Sequence, residues 1–213
     1  MINVASNLWY FYDAYIVCFC TEGDLLSQWR GYARPGGYSI GLDPNTFPHT
    51  TLTNLDLIPV RYDANAHVER VRELVKRWRV AFRFGYDTAS DIARRLGLVF
   101  ATALTRTAVT FKHPAFHEER EWRLVLPRLQ VETEAGPGHS VRYRARDGLI
   151  LPYLPIDLVP GPEGNSPARL REIVVGPNRE PVLANLALKR YLLHLGYPAA
   201  SFPVTTSAAP LRT

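Results

Sequence analysis

Two helical runs stand side by side in the middle of this chain, with strand-like runs bunched before and after them. From Ala64 to about Phe84, apolar residues fall at Val68, Val71, Val75, Trp78 and Phe82, the alternating 3 and 4 spacing of one helix face. Glu69, Arg70, Arg72, Glu73, Lys76, Arg77 and Arg79 fill the other faces. Asp87 to Thr107 repeats the pattern with Ile92, Leu96, Val99 and Ala103, and Gly85 between the runs suits a C-terminal cap. An antiparallel pair of long helices is expected. A third helix starts at Pro181 and stops at Gly196. Its apolar residues wrap most of the way round, which predicts a buried C-terminal helix. Strand-like runs are Ala14–Cys20, Gly37–Leu42, Asp56–Tyr62, Glu121–Pro127, Ser140–Arg144, Gly148–Tyr153 and Glu172–Gly176, with a weaker one at Phe202–Thr205. They do not alternate with the helices, so the order argues for an α+β fold with mostly antiparallel sheets and against a doubly wound parallel sheet. A length of 213 residues fits a single α+β domain over residues 1–205, followed by a tail at 206–213. Turn-rich segments at Glu134–Gly138 and Pro160–Pro167 read as loops within it.

The net charge is +5, and only Lys76, Lys112 and Lys189 are lysines among 25 basic residues. Arginine pairs two-point with phosphate or carboxylate, so the composition points to an anionic small molecule. Between Arg61 and Arg123 there are 13 basic and 8 acidic residues, an excess spread along helices as on a solvated face. With no recognition motif beside it, that spread argues against nucleic acid as the partner. Cys18 and Cys20 share one face of a strand, badly placed to bridge each other and too few for a structural zinc site. Buried free thiols in a reducing compartment are expected. No basic region precedes an apolar run at the N-terminus, and no stretch of about 18 uncharged apolar residues exists to span a membrane. The chain reads as cytoplasmic. Phosphate-loop, dinucleotide-loop and nucleophile-elbow motifs are missing. His113 and His117 stand four apart, but Pro114 breaks that helix, so no metal site is expected.

Three segments carry unusual side chains. In Asp24–Arg34, a short helix between two strands, Ser27, Arg30 and Arg34 recur at 3 and 4, presenting hydroxyl and guanidinium groups. Leu25, Leu26, Trp29 and Ala33 supply its buried side, and the Gly36-Gly37 turn allows close backbone approach. In Phe111–Val125 a charged loop runs into a strand. Alternation puts Glu121, Arg123 and Val125 on one face and Trp122, Leu124 and Leu126 on the core face. Lys112 and His113 lie in a loop placed to close over the Glu121 side. One carboxylate among cations suits binding an anion while stabilising a developing positive charge, and the neighbouring arginine keeps it ionised. The third segment, Ile173–Arg179, leads into the last helix, but Pro177 and Pro181 remove two phosphate-binding donors. A structural turn is its plainer use.

These segments resemble a bacterial family, domain of unknown function 2971. The resemblance rests on Cys18-Phe19-Cys20, Asp24, Leu26-Ser27-Gln28-Trp29-Arg30-Gly31-Tyr32-Ala33 and Gly36–Gly41. It continues at Lys112-His113-Pro114-x-Phe116, Glu119-x-Glu121-Trp122-Arg123, Ile173–Pro177 and Ser207…Pro210…Arg212. Cys20 stands where the family has Ser. Family members usually begin with a His-Tyr-Thr strand, a helix and a Leu-Asn-Asp turn, and Met1 starts after these. That leaves a shortened relative, a fragment or an upstream start as readings. The family's order is similar to the ADP-ribosyltransferase plan, in which a late Glu stabilises a ribosyl oxocarbenium ion. The resemblance then implies Glu121 as catalytic carboxylate and Arg30 and Arg123 on a pyrophosphate. Ser27, Gln28, Tyr32, Lys112 and His113 complete the expected ligand site, a pocket lined by Arg and Lys. No covalently bound cofactor is expected, and nicotinamide adenine dinucleotide (NAD) enters as a substrate. The competing expectation is a non-catalytic ligand-sensing or protein-interaction module.

Overall fold

A computed structural model describes residues 12–33, 36–45, 55–84, 90–129, 141–155, 170–197 and 202–210. The elements are β1 (Tyr12–Cys20), α1 (Leu26–Tyr32), β2 (Tyr38–Leu42), β3 (Asp56–Pro59), α2 (Ala64–Phe84) and α3 (Ser90–Ala108). After them come β4 (Glu121–Leu129), β5 (Arg142–Arg146), β6 (Leu149–Tyr153), β7 (Leu170–Val175), α4 (Pro181–His194) and β8 (Val204–Thr206). The fold is α+β with mainly antiparallel pairing, as the order of runs predicts. Two compact units emerge: Met1–Phe19 with Leu52–Pro155, and Cys20–Thr51 with Ile156–Thr213.

In the first unit, β4 is the central strand of the sheet β1-β4-β3, with β3 antiparallel to it and Ile58 opposite Arg123. A central strand is covered on both faces, and Leu124, Val125 and Leu126 are all buried. Trp122 departs from the expected core face and is 38% exposed. It sits at the strand's start, opposite the exposed Pro59 at the end of β3, where that face is uncovered. Asp63 caps α2 by accepting the Asn65 and Ala66 amides at 2.8 and 3.2 Å. The two long helices meet where Trp78 packs edge-on against Phe100, 5.5 Å between ring centres. Val68 and Val75 lie at the exposed margin of α2, while Val71, Leu74 and Trp78 are half-buried, so the covered stripe is rotated from the expected one. The Gly85 cap, the Glu134–Gly138 and Pro160–Pro167 loops and Arg34 lie outside the described residues.

In the second unit β7 is central, with β2 antiparallel on one side and β8 parallel on the other. Ile173, Val174 and Val175 form its buried centre. Helix α4 is not the buried helix its composition predicts. Leu192 is its one buried residue, and Val182 is 82% exposed. An apolar girdle on all sides needs cover on all sides, and one sheet covers only one. Asn178 holds the turn before α4, its side-chain amide donating to the Gly176 carbonyl at 2.9 Å and its oxygen accepting the Glu180 amide at 2.9 Å. This segment is a structural turn. No helix among the described residues is long and apolar enough to cross a membrane.

Candidate functional site

Backbone pairing in the first unit gathers charged side chains around β4's first residue. The Val60 amide donates to the Glu121 carbonyl at 2.9 Å. One residue on, the Arg61 amide donates to the Thr110 carbonyl at 2.7 Å and the Lys112 amide to the Arg61 carbonyl at 3.1 Å. Residues 60–62 thus run between Glu121 on one side and Thr110–Lys112 on the other. The Tyr62 hydroxyl accepts the Glu121 amide at 2.8 Å. Lys112 is thereby carried to Glu121 although nine residues separate them.

Glu121 is 4% exposed. Its Oε1 accepts from Arg123 Nε at 2.7 Å, and its Oε2 from Lys112 Nζ at 2.6 Å and from Arg123 Nη2 at 3.4 Å. Lys112 also donates to Glu119 at 2.6 Å and rests 5.1 Å from the Phe116 ring centre. The remaining guanidinium nitrogen, Arg123 Nη1, donates to the Val109 carbonyl at 2.6 Å. Burial by itself raises the Glu121 carboxyl, but hydrogen bonds from Arg123, Cys18 and Lys112 outweigh it and hold the group at about 2. Burial likewise acts against the Lys112 charge, and bonds to Glu119 and Glu121 reverse the effect and raise it. Two cations and two carboxylates make a cluster with no net charge. It is a filled core of ion pairs, not an open cleft.

Cys18 on β1 is an unforeseen member. As a residue it is exposed, contrary to the expected buried thiol, and Cys20 is half-buried. The Cys18 thiol donates to Glu121. Partial burial, then the bond to Glu121 and its negative charge, push the thiol up to about 11. At pH 8 such a thiol is about a hundredfold poorer in thiolate than an ordinary one near 9. Its greater intrinsic nucleophilicity restores about tenfold. Iodoacetamide at pH 8 is therefore expected to label Cys18 about tenfold more slowly in the folded chain than in urea, read by mass spectrometry. Equal rates would show that the bond to Glu121 does not hold the proton. Glu119 could have been suspected from its spacing to Glu121, but Cys18 is recruited by the β1-β4 pairing, which has no local signature.

His113, expected beside this cluster, is exposed and caps the short turn Pro114–Glu119, its Nδ1 accepting the Ala115 amide at 3.2 Å. Arg30, expected to share a pocket with Glu121 and Arg123, belongs to the second unit. There, the buried Trp29 of α1 donates its indole N–H to Asp24 at 2.6 Å. Asp24 also accepts from the Ser207 hydroxyl and from the Ala208 amide at 2.8 Å. Trp29 packs on Gly176, where an added Cβ would lie 2.9 Å from the indole and 2.8 Å from the Gly37 carbonyl. Gly36, at φ +87°, makes the turn that brings this backbone close, as the Gly36-Gly37 pair predicts.

With Trp29 fixed, α1 walls a hollow of about 330 Å³ lined by Gln28, Trp29, Tyr32, Tyr38, Ser39 and Glu22, among others. Gln28 and Tyr32, four residues apart, are the two expected ligand residues that line it. Ser27 does not present its hydroxyl: its Oγ is buried with no hydrogen-bond partner among the described residues. Arg30 is exposed and makes no ion pair among the described residues. Among the described residues the lining contains no Arg or Lys, so what they form is aromatic and polar where the sequence predicts an Arg/Lys-lined pocket. Among the described residues, no group of three or more His, Cys, Asp or Glu is placed to hold a metal ion.

Residues 28–124 match the family described as "Protein of unknown function (DUF2971)", the family that the motifs resemble. No curated protein and no solved structure matches the chain.

Proposed function

We propose, for a chain whose residues 28–124 carry the pattern of that family of unknown function, a cytoplasmic bacterial protein that binds a nucleotide-like ligand without transforming it. The observation that carries this reading is the hollow beside α1. Its volume is at the small end of the roughly 300–1,000 Å³ of small-molecule sites, room for one base-sized heterocycle. Tyr32 and Tyr38 offer rings for stacking, which every base accepts. The Gln28 amide sets a donor beside an acceptor, the pairing that reads an adenine edge. Arg30, two residues from each along the helix, lies on a different face and outside the lining, so the hollow reads the base and leaves any phosphate to solvent.

The ADP-ribosyl transfer reading, with NAD as substrate, is favoured by one property: Glu121 is ionised, as a carboxylate facing an oxocarbenium ion must be. Against it, both Glu121 oxygens are already taken by Arg123 and Lys112. A cation approaching this carboxylate meets two others first. Binding therefore ranks ahead of transfer.

Calorimetric titration with adenosine, AMP, ADP and NAD tests both readings. Tyr32→Ala and Gln28→Ala are each expected to weaken AMP binding by about tenfold or more, and Tyr32, at 75% exposed, can be removed without unfolding the chain. Arg30→Ala, on another face of the helix, is expected to leave AMP and adenosine binding alike unchanged. Binding unaffected by both Tyr32→Ala and Gln28→Ala would remove the hollow as the site. Release of nicotinamide from NAD that Glu121→Gln abolishes would put the transferase first.

A further inference from the structure

Between Arg61 and Arg123 the basic excess runs along helices, as on a solvated face. The fold adds a feature that helices do not have. β5 and β6 form a two-stranded antiparallel hairpin in the first unit, joined to no other strand among the described residues. Asp147 and Gly148 turn it, both with positive φ, 52° and 78°, the two-residue turn that suits a right-handed twisted ribbon. Every residue of β5 is exposed. Strand alternation puts Arg142, Arg144 and Arg146 on one face, across from Tyr153, Leu151 and Leu149.

From this geometry we infer that the β5-β6 hairpin is a ribbon that binds the phosphate backbone of a nucleic-acid duplex. Successive arginines on that face stand about 6.8 Å apart, two residues of roughly 3.4 Å rise. Each step of one duplex strand rises roughly 3.4 Å and turns about 36°, which sets adjacent phosphates about 6.5 Å apart, so the row meets successive phosphates. A two-stranded ribbon is also one of the two elements that the DNA major groove admits. The arginines are free for the task. Arg142 has no partner among the described residues. Arg144 is held over the Tyr153 ring at 5.5 Å, which aims the guanidinium without neutralising it. Arg146 has only Asp147, 3.4 Å away, and both are largely exposed. Such a pair exchanges readily for a phosphate. Asp147 is the single acidic residue from Val141 to Pro155, so the ribbon is electropositive as a whole.

The test is binding of a fluorescein-labelled, mixed-sequence 20-base-pair DNA duplex to the full chain between 50 and 200 mM salt. Three phosphate contacts predict an affinity that falls about 40-fold over that range. The triple variant R142A/R144A/R146A is expected to lose that salt dependence, its logarithmic slope shrinking by about three. All three side chains are exposed, so circular dichroism should be unchanged. Should the triple variant misfold, Arg142→Ala alone should lower the slope by about one. R70A/R77A on α2 is the control and should leave the slope unchanged. No binding at 50 mM salt, a slope unaltered by the hairpin variants, or one lost in R70A/R77A instead would overturn the inference. Polyglutamate displacing the duplex as well as unlabelled duplex does would overturn it too, in favour of an acidic protein.

Discussion

Arg123→Met is expected to destabilise the first unit by about 3 kcal/mol, the cost of leaving a buried carboxylate with one of its two cations removed. The size follows from position. Glu121 lies at the head of the central strand, and Arg123 closes on both of its oxygens while tying down the Val109 carbonyl. Methionine fills the stem of the arginine and supplies none of these donors. Hydrogen exchange of the β3 and β4 amides isolates the effect from the second unit, because opening free energies are read segment by segment. A double variant, E121L/R123M, is expected to recover much of the loss, since a well-packed apolar pair often replaces a buried ion pair at little cost. The double-mutant cycle then gives the coupling directly. A loss below about 0.5 kcal/mol for Arg123→Met would mean that the cluster is loosely held and open to water.

Acidification is expected to remove a stabilisation of the same order. Glu121 titrates at about 2 when folded against an ordinary value of 4.5. Between those values the unfolded chain binds a proton that the folded chain refuses, so stability rises with pH across the window. The contribution is complete above about pH 4.5 and disappears as the pH falls towards 2. It is on the order of 3 kcal/mol. In Glu121→Gln the proton is no longer exchanged, so the part of the acid dependence lying between pH 4.5 and 2 should flatten. That variant should also be less stable near neutrality, because Lys112 and Arg123 then face each other with less negative charge between them. Equal acid profiles for the two proteins, followed by β4 protection, would show that Glu121 is not the group responsible.

Both expectations concern a cluster that makes the first unit stable and leaves little free for a ligand. The chemistry open to this chain lies where side chains are uncommitted. In the second unit that is the aromatic hollow of α1, built by a different set of contacts. Asp24, accepting at once from Trp29, Ser207 and Ala208, joins residues that lie 183 apart in the case of Ser207. Nothing near Asp24 in the chain announces that bond.

Local periodicity and turn chemistry are properties of a dozen neighbouring residues, and these were legible. The long helices, the strand runs, the Gly36-Gly37 turn and the ionised state of Glu121 beside Arg123 all follow from spacing and nearest neighbours. Burial and pairing were not. Trp122 and Leu124 alternate identically, yet one is exposed because its end of the sheet is uncovered. The apolar girdle of α4 predicts cover that one sheet cannot provide. Lys112 and Glu121, and Cys18 with them, meet only because residues 60–62 and β1 pair where they do. Sequence alone therefore determined which elements form and which groups carry charge. Tertiary structure decided which charges cancel and which stay free, because cancellation depends on distances across the sheet that no short stretch of chain contains.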